Sequence, residues 1–310
     1  MPSGFGVPVI PGDADGHQGR LARATALRRS HAVTEGIALL APSLTAQPHD
    51  PAIRQEMVEL RRAAGEFASA AALAAGLPPD PALSRTGLLR SIMTGQPVPQ
   101  AVRTSGEVPA PFVLRHDVLP SADYSTLLAQ IVDAASAFET PKLVKGDTNQ
   151  ADRSVRDAMV IDNPEDGLVA PVKAQVLCLL DAVLPRLGIA PFSVASVEAQ
   201  VTIHGNHHFY NAHRDDEPDP NSPVFARTVS YVYYLHRRPR AFSGGELRLY
   251  DSDPVVGSFD PGGFSQVEPA NNTLILFPSW AYHEVRPVTL ASTDPFDGRI
   301  TVNGWVHRNL

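Results

Sequence analysis

A series of short apolar segments, which begins at residue 194 and runs to the C-terminus, constrains the fold more than any other feature. These segments are rich in β-branched and aromatic residues and are separated by turn residues. They are VASVEAQVTIHG, RTVSYVYYLH, GELRLYD, NTLILFP and GRITVNGWVH. Strands at such intervals are typical of a sandwich or barrel. We therefore predict a double-sheet jelly roll that the preceding helices cover on one side.

Helical periodicity before residue 194 makes the predicted fold class α+β. In PAIRQEMVELRRAAGEFASAAALAAGL, apolar residues recur every three or four positions, Pro51 suits a first helical turn, and Gly76 suits a helix end. A second helix is expected in ADYSTLLAQIVDAASAF with Ser121 as its N-cap, and a third in VKAQVLCLLDAVLPRLG, closed by Gly188. The polar segment TPKLVKGDTNQADRSVRD between them has no period and is predicted to be a loop.

A proline- and glycine-rich segment divides the chain. TGQPVPQAVRTSGEVPAP has four prolines and two glycines among eighteen residues, as expected of a linker. We place a boundary near residue 106, with residues 1–105 as a helical N-terminal extension and residues 106–310 as the second domain. No motif connects the extension with chemistry, so we expect its apolar face to pack on the second domain or on a second copy of the chain in a homodimer.

Composition argues against several kinds of partner, cross-link and metal site. The chain has 26 Lys and Arg against 33 Asp and Glu, a net charge of −7, and lacks the basic stripe that nucleic-acid binding requires. The only cysteine, Cys178, cannot form an intramolecular disulfide, and a thiolate-rich metal site is excluded. We find no signal-peptide pattern and no run of about 18 apolar residues. We therefore expect a cytoplasmic protein that binds neither nucleic acid nor membranes.

Histidines cluster in the segment from residue 204 to residue 236, which contains five of the eleven. His213 and Asp215 are two residues apart, so on an extended segment both side chains project to the same side. His283, which follows the apolar segment LILFPSWAY, is the best third ligand. Two imidazoles and one carboxylate form the ligand set of non-haem Fe(II) oxygenases.

The sequence resembles the prolyl-4-hydroxylase-like branch of the 2-oxoglutarate/Fe(II)-dependent dioxygenases. The resemblance extends from about residue 108 to the C-terminus and rests on motifs in the order of the family. These are FYNAHRD with His213 and Asp215, YVYYLH, FSGGEL, LFPS leading to His283, and GRITVNGW with Arg299. The resemblance implies a double-stranded β-helix, a jelly roll, with supporting helices.

The same resemblance implies the cofactors and their ligands. Fe(II) would be held by the two histidines and Asp215, and Arg299 would pair with the distal carboxylate of the co-substrate 2-oxoglutarate, because a guanidinium can bind a carboxylate through two parallel hydrogen bonds. Thr301 and Tyr210 are the other residues predicted to contact 2-oxoglutarate. Dioxygen is the third reactant, hydroxylation the expected outcome, and no catalytic residue is expected beyond the metal ligands.

The substrate is expected to be an amino acid, a peptide residue or a natural-product intermediate. Arg153 and Arg156 are candidate partners for a substrate carboxylate, and Tyr231 and Tyr233 are candidates for lining the pocket. Strand alternation places these two tyrosines on one side of YVYYLH and Tyr234 on the other, and does not decide which side faces the pocket. His204, His207 and His208 are expected to be exposed to water.

Two other functions are compatible with these residues. One is a module that binds a metal and 2-oxoglutarate without turnover. The other is a cupin-like metalloenzyme, in which a jelly roll holds a histidine-rich metal site and Arg299 would have no role.

Overall fold

The computed structural model of the chain describes residues 16–79, 84–100, 106–141, 143–145, 148–150 and 152–310. Residues 1–15, 80–83 and 101–105 of the predicted extension lie outside the described residues. The α-helices are α1 (His17–Arg29), α2 (Val33–Ala46), α3 (Pro51–Ala63), α4 (Phe67–Ala74), α5 (Arg85–Thr94), α6 (Ser121–Asp133) and α7 (Asp166–Val183). The strands are β1 (Val113–His116), β2 (Leu143–Lys145), β3 (Thr148–Gln150), β4 (Arg156–Asp157), β5 (Met159–Asp162), β6 (Val194–His204), β7 (Phe209–His213), β8 (Arg227–Leu235), β9 (Phe242–Gly244), β10 (Leu247–Ser252), β11 (Phe259–Val267), β12 (Thr273–Pro278), β13 (His283–Val285), β14 (Val288–Leu290) and β15 (Arg299–Arg308).

Two antiparallel sheets form the centre of the fold, which confirms the predicted α+β class with a jelly-roll core. The larger sheet has the order β1-β12-β8-β15-β6-β5, and the smaller has the order β11-β10-β13-β7-β4. Val232 and Ile275 of the larger sheet share one buried cluster with Leu249 and Val285 of the smaller sheet. The two sheets therefore pack face to face, and the active-site candidates lie between them.

Helices α6 and α7 cover the outer face of the larger sheet. Ile131 of α6 and Val172 of α7 belong to the same buried cluster as Tyr231 and Tyr233. The helical segment Asp166–Leu187 is long and apolar enough to cross a membrane by length and composition, but one face of it is used in this packing. The prediction that helices cover one side of the jelly roll is confirmed.

The helix predicted after Pro51 is interrupted, which is a correction to the sequence analysis. α3 ends at Ala63, and α4 begins at Phe67. Gly65, between them, has a φ of +75°, and a Cβ there would lie 2.9 Å from the carbonyl oxygen of Gln266. Close approach to β11 therefore turns the chain where local periodicity predicts a continuous helix.

Three further expectations need correction. The predicted loop in TPKLVKGDTNQADRSVRD contains the short strands β2, β3 and β4. Helix α6 begins at Ser121, so that Pro120 and not Ser121 occupies the N-cap position. α7 begins at Asp166, before the predicted segment, and an acidic residue in the first turn suits the positive end of the helix dipole.

Candidate active site

Two neighbouring strands of the smaller sheet bring the three predicted metal ligands together. His213 is the last residue of β7, Asp215 follows two residues later, and His283 is the first residue of β13. The strands pair antiparallel, with His283 opposite His213. One ligand atom from each of the three side chains lies within 4.8 Å of the other two. The distance from Nε2 to the nearest carboxylate oxygen of Asp215 is 3.7 Å for His213 and 3.5 Å for His283.

Hydrogen bonds fix the orientation of each ligand. Nδ1 of His213 lies 2.8 Å from the carbonyl oxygen of Asn211, and Nδ1 of His283 lies 2.9 Å from that of Ala281. Because a carbonyl oxygen only accepts, each Nδ1 carries the proton and each Nε2 keeps its lone pair for a metal. The hydroxyl of Ser230 donates to Oδ2 of Asp215 over 2.6 Å.

Electrostatics favour the protonation states that bind a metal. Burial, and then the neighbouring His283, lower the pKa of His213 to about 3. Burial by itself would raise the pKa of Asp215, but the two imidazoles and the hydrogen bond from Ser230 outweigh it and lower that pKa. His213 is therefore neutral and Asp215 ionised near neutral pH, and this donor set of two imidazoles and one carboxylate fits non-haem Fe(II).

Tyr210 packs directly against one of the ligands. Its ring stacks on that of His213, with 3.6 Å between the ring centroids and an interplanar angle of 18°. On the tyrosine ring also lies the guanidinium of Arg156, whose Cζ is 4.8 Å from the ring centroid. The structure thus places Tyr210 between a metal ligand and a buried cation.

The larger sheet contributes a buried arginine that forms no ion pair within the described residues. Arg299 is 2% exposed and opens β15, opposite His204 on β6. Its Nη1 lies 3.2 Å from Nδ1 of His204, and its Cζ lies 5.1 Å from the ring centroid of Tyr234. Within the described residues, Arg299 forms no ion pair, and Nε of Arg299 and Nε2 of His204 have no hydrogen-bond partner. A carboxylate would supply what these atoms lack, so the residues fit the distal end of 2-oxoglutarate.

A single cavity of about 490 Å³ connects the metal ligands with Arg299. Thr301 lines it and donates from Oγ1 to Oδ1 of Asn303 over 3.3 Å. Gly245 packs against the side chain of Arg299, since a Cβ there would lie 2.8 Å from Cδ of Arg299, and its φ is +73°. Space for the arginine side chain thus depends on a glycine in the FSGGEL motif.

The predicted substrate residues are in three different places. Arg156 is buried and lines the cavity, whereas the side chain of Arg153 is 68% exposed and donates to Thr140 over 3.2 Å. Tyr233 lies in the cluster that packs on the helices and donates to Oδ1 of Asn272 over 2.7 Å. Tyr231 belongs to the same cluster and also borders the cavity.

Three residues of the site were missed by the sequence analysis. The expectation that His204 is exposed was wrong, since the side chain is 2% exposed beside Arg299. Tyr234 faces the cavity side of β8, and Ser230 lies four residues before it on the same face. Strand alternation gives a signal for all three, but only when one residue of each strand is already known to face the site.

The comparisons with known proteins agree with this geometry. Residues 199–307 match the family model of the 2OG-Fe(II) oxygenase superfamily. An uncharacterised PKHD-type hydroxylase from Synechocystis sp. is 32% identical over 169 residues, which cover 54% of this chain and 55% of the relative. The chain therefore matches about half the length of this curated relative.

Two solved structures that align with part of the chain share little sequence with it. A prolyl hydroxylase from Trichoplax adhaerens, in complex with a peptide fragment of hypoxia inducible factor, has 20% identity and a TM-score of 0.48 over 64% of this chain and 83% of its own. A prolyl-4-hydroxylase from Pseudomonas putida has 21% identity and a TM-score of 0.45 over 65% of this chain and 94% of its own.

The family match covers every residue assigned to the metal and to the buried arginine. It confirms the family and the cofactors that the ordered motifs predicted, since Fe(II) and 2-oxoglutarate define the superfamily. Residues 199–307 of the chain thus match the 2OG-Fe(II) oxygenase superfamily in sequence, and the site that they form fits its cofactors.

Proposed function

We propose that the chain is an Fe(II)- and 2-oxoglutarate-dependent oxygenase that hydroxylates an unactivated C–H bond of an amino acid, a peptide residue or a natural-product intermediate. When bound, Fe(II) and 2-oxoglutarate together reduce dioxygen, so that one oxygen atom enters the substrate and the other enters succinate, with release of carbon dioxide. The observation that carries the proposal is the occurrence of two incomplete sites in one cavity: a ligand set for a metal and a buried arginine without an anion.

Different side chains would bind the metal and the co-substrate. His213, Asp215 and His283 would hold the metal, with their orientations fixed by backbone carbonyls and by Ser230. Arg299 would bind and orient the distal carboxylate of 2-oxoglutarate within the same cavity. Burial of both ends excludes water from the charged groups and so strengthens their interactions.

The buried Arg299 also separates the proposal from a cupin-like metalloenzyme. A cation that is 2% exposed and has no ion pair within the described residues is costly, and a metal site alone gives no reason to keep it. An Arg299→Met variant should therefore lose turnover if 2-oxoglutarate is the co-substrate. A cupin-like enzyme would keep its activity in that variant.

The direct test is formation of succinate. The purified chain, supplied with Fe(II), 2-oxoglutarate and air, should form succinate and carbon dioxide above a metal-free control. His213→Ala should abolish this formation, whereas His49→Ala, at an exposed histidine outside the cavity, should not change it. Equal turnover in wild type and His213→Ala would refute the proposal. Binding of 2-oxoglutarate to the anaerobic Fe(II) protein without succinate on exposure to air would favour a non-catalytic module.

A further inference from the structure

The cavity contains a second buried arginine that has no direct ion pair among the described residues. Arg156 is 8% exposed, lies on β4 opposite Tyr210, and lines the same cavity as Arg299. Within the described part of the chain, Arg156 forms no ion pair, and its Nε has no hydrogen-bond partner. Buried cations usually have a carboxylate partner, so this one calls for an explanation.

Neutral groups hold the guanidinium in place. Nη2 of Arg156 donates to Oε1 of Gln200 and, over 3.4 Å, to Oγ1 of Thr202. The amide of Gln200 in turn donates to Asp162, so the carboxylate of Asp162 reaches Arg156 only through an uncharged side chain. These contacts fix the orientation of the guanidinium but include no direct ion pair. Burial lowers the pKa of Arg156, as expected for a desolvated cation.

The other positive charges of the site have direct anionic partners once metal and co-substrate are bound. The charges of Fe(II) and Arg299 are balanced by Asp215 and the two carboxylates of 2-oxoglutarate. Two other arginines of the cavity already have partners, since Arg227 pairs with Glu198 over 2.9 Å and Arg214 with Asp216 over 2.7 Å. Asp162 and Glu217 also line the cavity, but within the described residues neither forms an ion pair with Arg156. Arg156 therefore still has no direct anionic partner after metal and co-substrate are bound.

We propose that Arg156 is a substrate-binding residue and that the substrate carries a carboxylate, which its guanidinium binds within the cavity. The inference rests on the proposed oxygenase function and narrows its substrate class. Tyr210 separates Arg156 from His213, so the carboxylate would lie about one aromatic ring away from a metal ligand. Such a substrate would be fixed at its anionic end and would present the neighbouring carbon atoms to the metal side of the cavity.

A carboxylate on Arg156 could come from the substrate or from the second carboxylate of 2-oxoglutarate. The two possibilities predict different effects of the arginine variants on the affinity for 2-oxoglutarate. If the substrate is the source, Arg156→Met should bind 2-oxoglutarate within about twofold of wild type, whereas Arg299→Met should lose about 100-fold, as expected for two charge-assisted hydrogen bonds. An equal loss of 2-oxoglutarate affinity in both variants would overturn the proposal.

The test uses the full chain as its anaerobic Fe(II) and 2-oxoglutarate complex, with acetate as the probe and acetamide as its uncharged counterpart. The readout is the visible metal-to-ligand charge-transfer band of the complex, which should respond because Arg156 touches Tyr210 and Tyr210 touches a metal ligand. Acetate should perturb this band in wild type, about 10- to 100-fold more weakly in Arg156→Met, and acetamide should not perturb it.

Arg153→Met is the matched control, because Arg153 lies three residues away, is exposed, and does not line the cavity. It should respond to acetate as wild type does. Arg156→Gln, a second neutral replacement, tests whether loss of response follows the charge or a folding defect, and should behave like Arg156→Met. An equal acetate response in wild type and both Arg156 variants, or none in wild type, would overturn the proposal. Failure of wild type to develop the band at all would instead overturn the proposed oxygenase function.

Discussion

Replacement of Arg299 with methionine should stabilise the ligand-free protein and at the same time weaken binding of 2-oxoglutarate. Arg299 is 2% exposed, and one of its polar partners, His204, is held neutral because burial and then Arg299 itself keep the pKa of His204 well below its usual range. Burial likewise lowers the pKa of Arg299. The charge is therefore a liability in the absence of an anion.

The size of the effect follows from what methionine removes and keeps. Methionine retains most of the apolar stem and removes a buried charge without a counter-ion, a change that stabilises proteins by about 1 to 4 kcal/mol in related cases. Because the neutral side chains of His204 and Tyr234 already stabilise part of this charge, we expect about 1 to 2 kcal/mol of added unfolding free energy. Loss of two charge-assisted hydrogen bonds should weaken 2-oxoglutarate binding by about 3 kcal/mol, or roughly 100-fold.

Two measurements on the same preparations test this prediction. Urea unfolding without ligand should shift to a higher midpoint with an unchanged slope, and calorimetric titration of the Fe(II) protein should show the loss of affinity. Arg299→Lys, which keeps the charge, should show no such gain in stability. A lower midpoint in Arg299→Met, or an unchanged affinity for 2-oxoglutarate, would refute the view that Arg299 binds an anion and lowers the stability of the ligand-free protein.

Three other perturbations probe the supports of the site. Ser230→Ala removes the 2.6 Å hydrogen bond to the carboxylate ligand and should weaken Fe(II) binding about 10-fold, measured by competition with a chelator; an unchanged affinity would contradict this role. Gly245→Ala should destabilise the protein by about 1 to 3 kcal/mol in urea unfolding and also weaken 2-oxoglutarate binding, because the φ is +73° and the Cβ would lie 2.8 Å from Arg299. Burial by itself would raise the pKa of Glu59, but its arginine partners outweigh it and lower that pKa to about 2. The stability that Glu59 contributes is thus complete above about pH 4.5 and is lost as the pH falls toward 2. The stability of Glu59→Gln should not show this pH dependence in acid unfolding. At neutral pH the variant should be less stable than wild type by about 3 to 5 kcal/mol.

Strand alternation predicted the jelly roll, but it could not decide which faces of the strands line the site. In most antiparallel sheets one face is polar and exposed, which identifies the apolar face as the core. Here both faces of β8 are buried, with Tyr233 against the helices and Tyr234 against the smaller sheet. A period of two therefore divides the tyrosines into two sets but does not show which set faces the site. The sequence analysis selected the pair that packs largely on the helices.

Motif order singled out the three candidate metal ligands and Arg299 because they lie at or next to strand ends that the sequence indicates. His213 and His283 end and begin the strands that they occupy, and Arg299 follows a glycine. No comparable mark exists for His204, which looked like one of several loop histidines. Its burial results from the pairing of β6 with β15 across 95 positions of sequence, a contact that local patterns do not report.

The N-terminal helices are tied to the metal-binding sheet by buried charges that have no local sequence pattern. Arg62 of α3 donates to both carboxylate oxygens of Asp251 on β10 over 2.8 Å, and the two residues are 189 positions apart. Asp251 is fully buried, so removal of either partner would leave an uncompensated charge in the interior. Leu249, two residues before Asp251 on the same strand, pairs with His283. The helices therefore help to hold the strand that lies beside the candidate metal ligand His283. The domain boundary near residue 106 rests on composition and stays a prediction. The ion pair between Arg62 and Asp251 connects the two sides of that boundary.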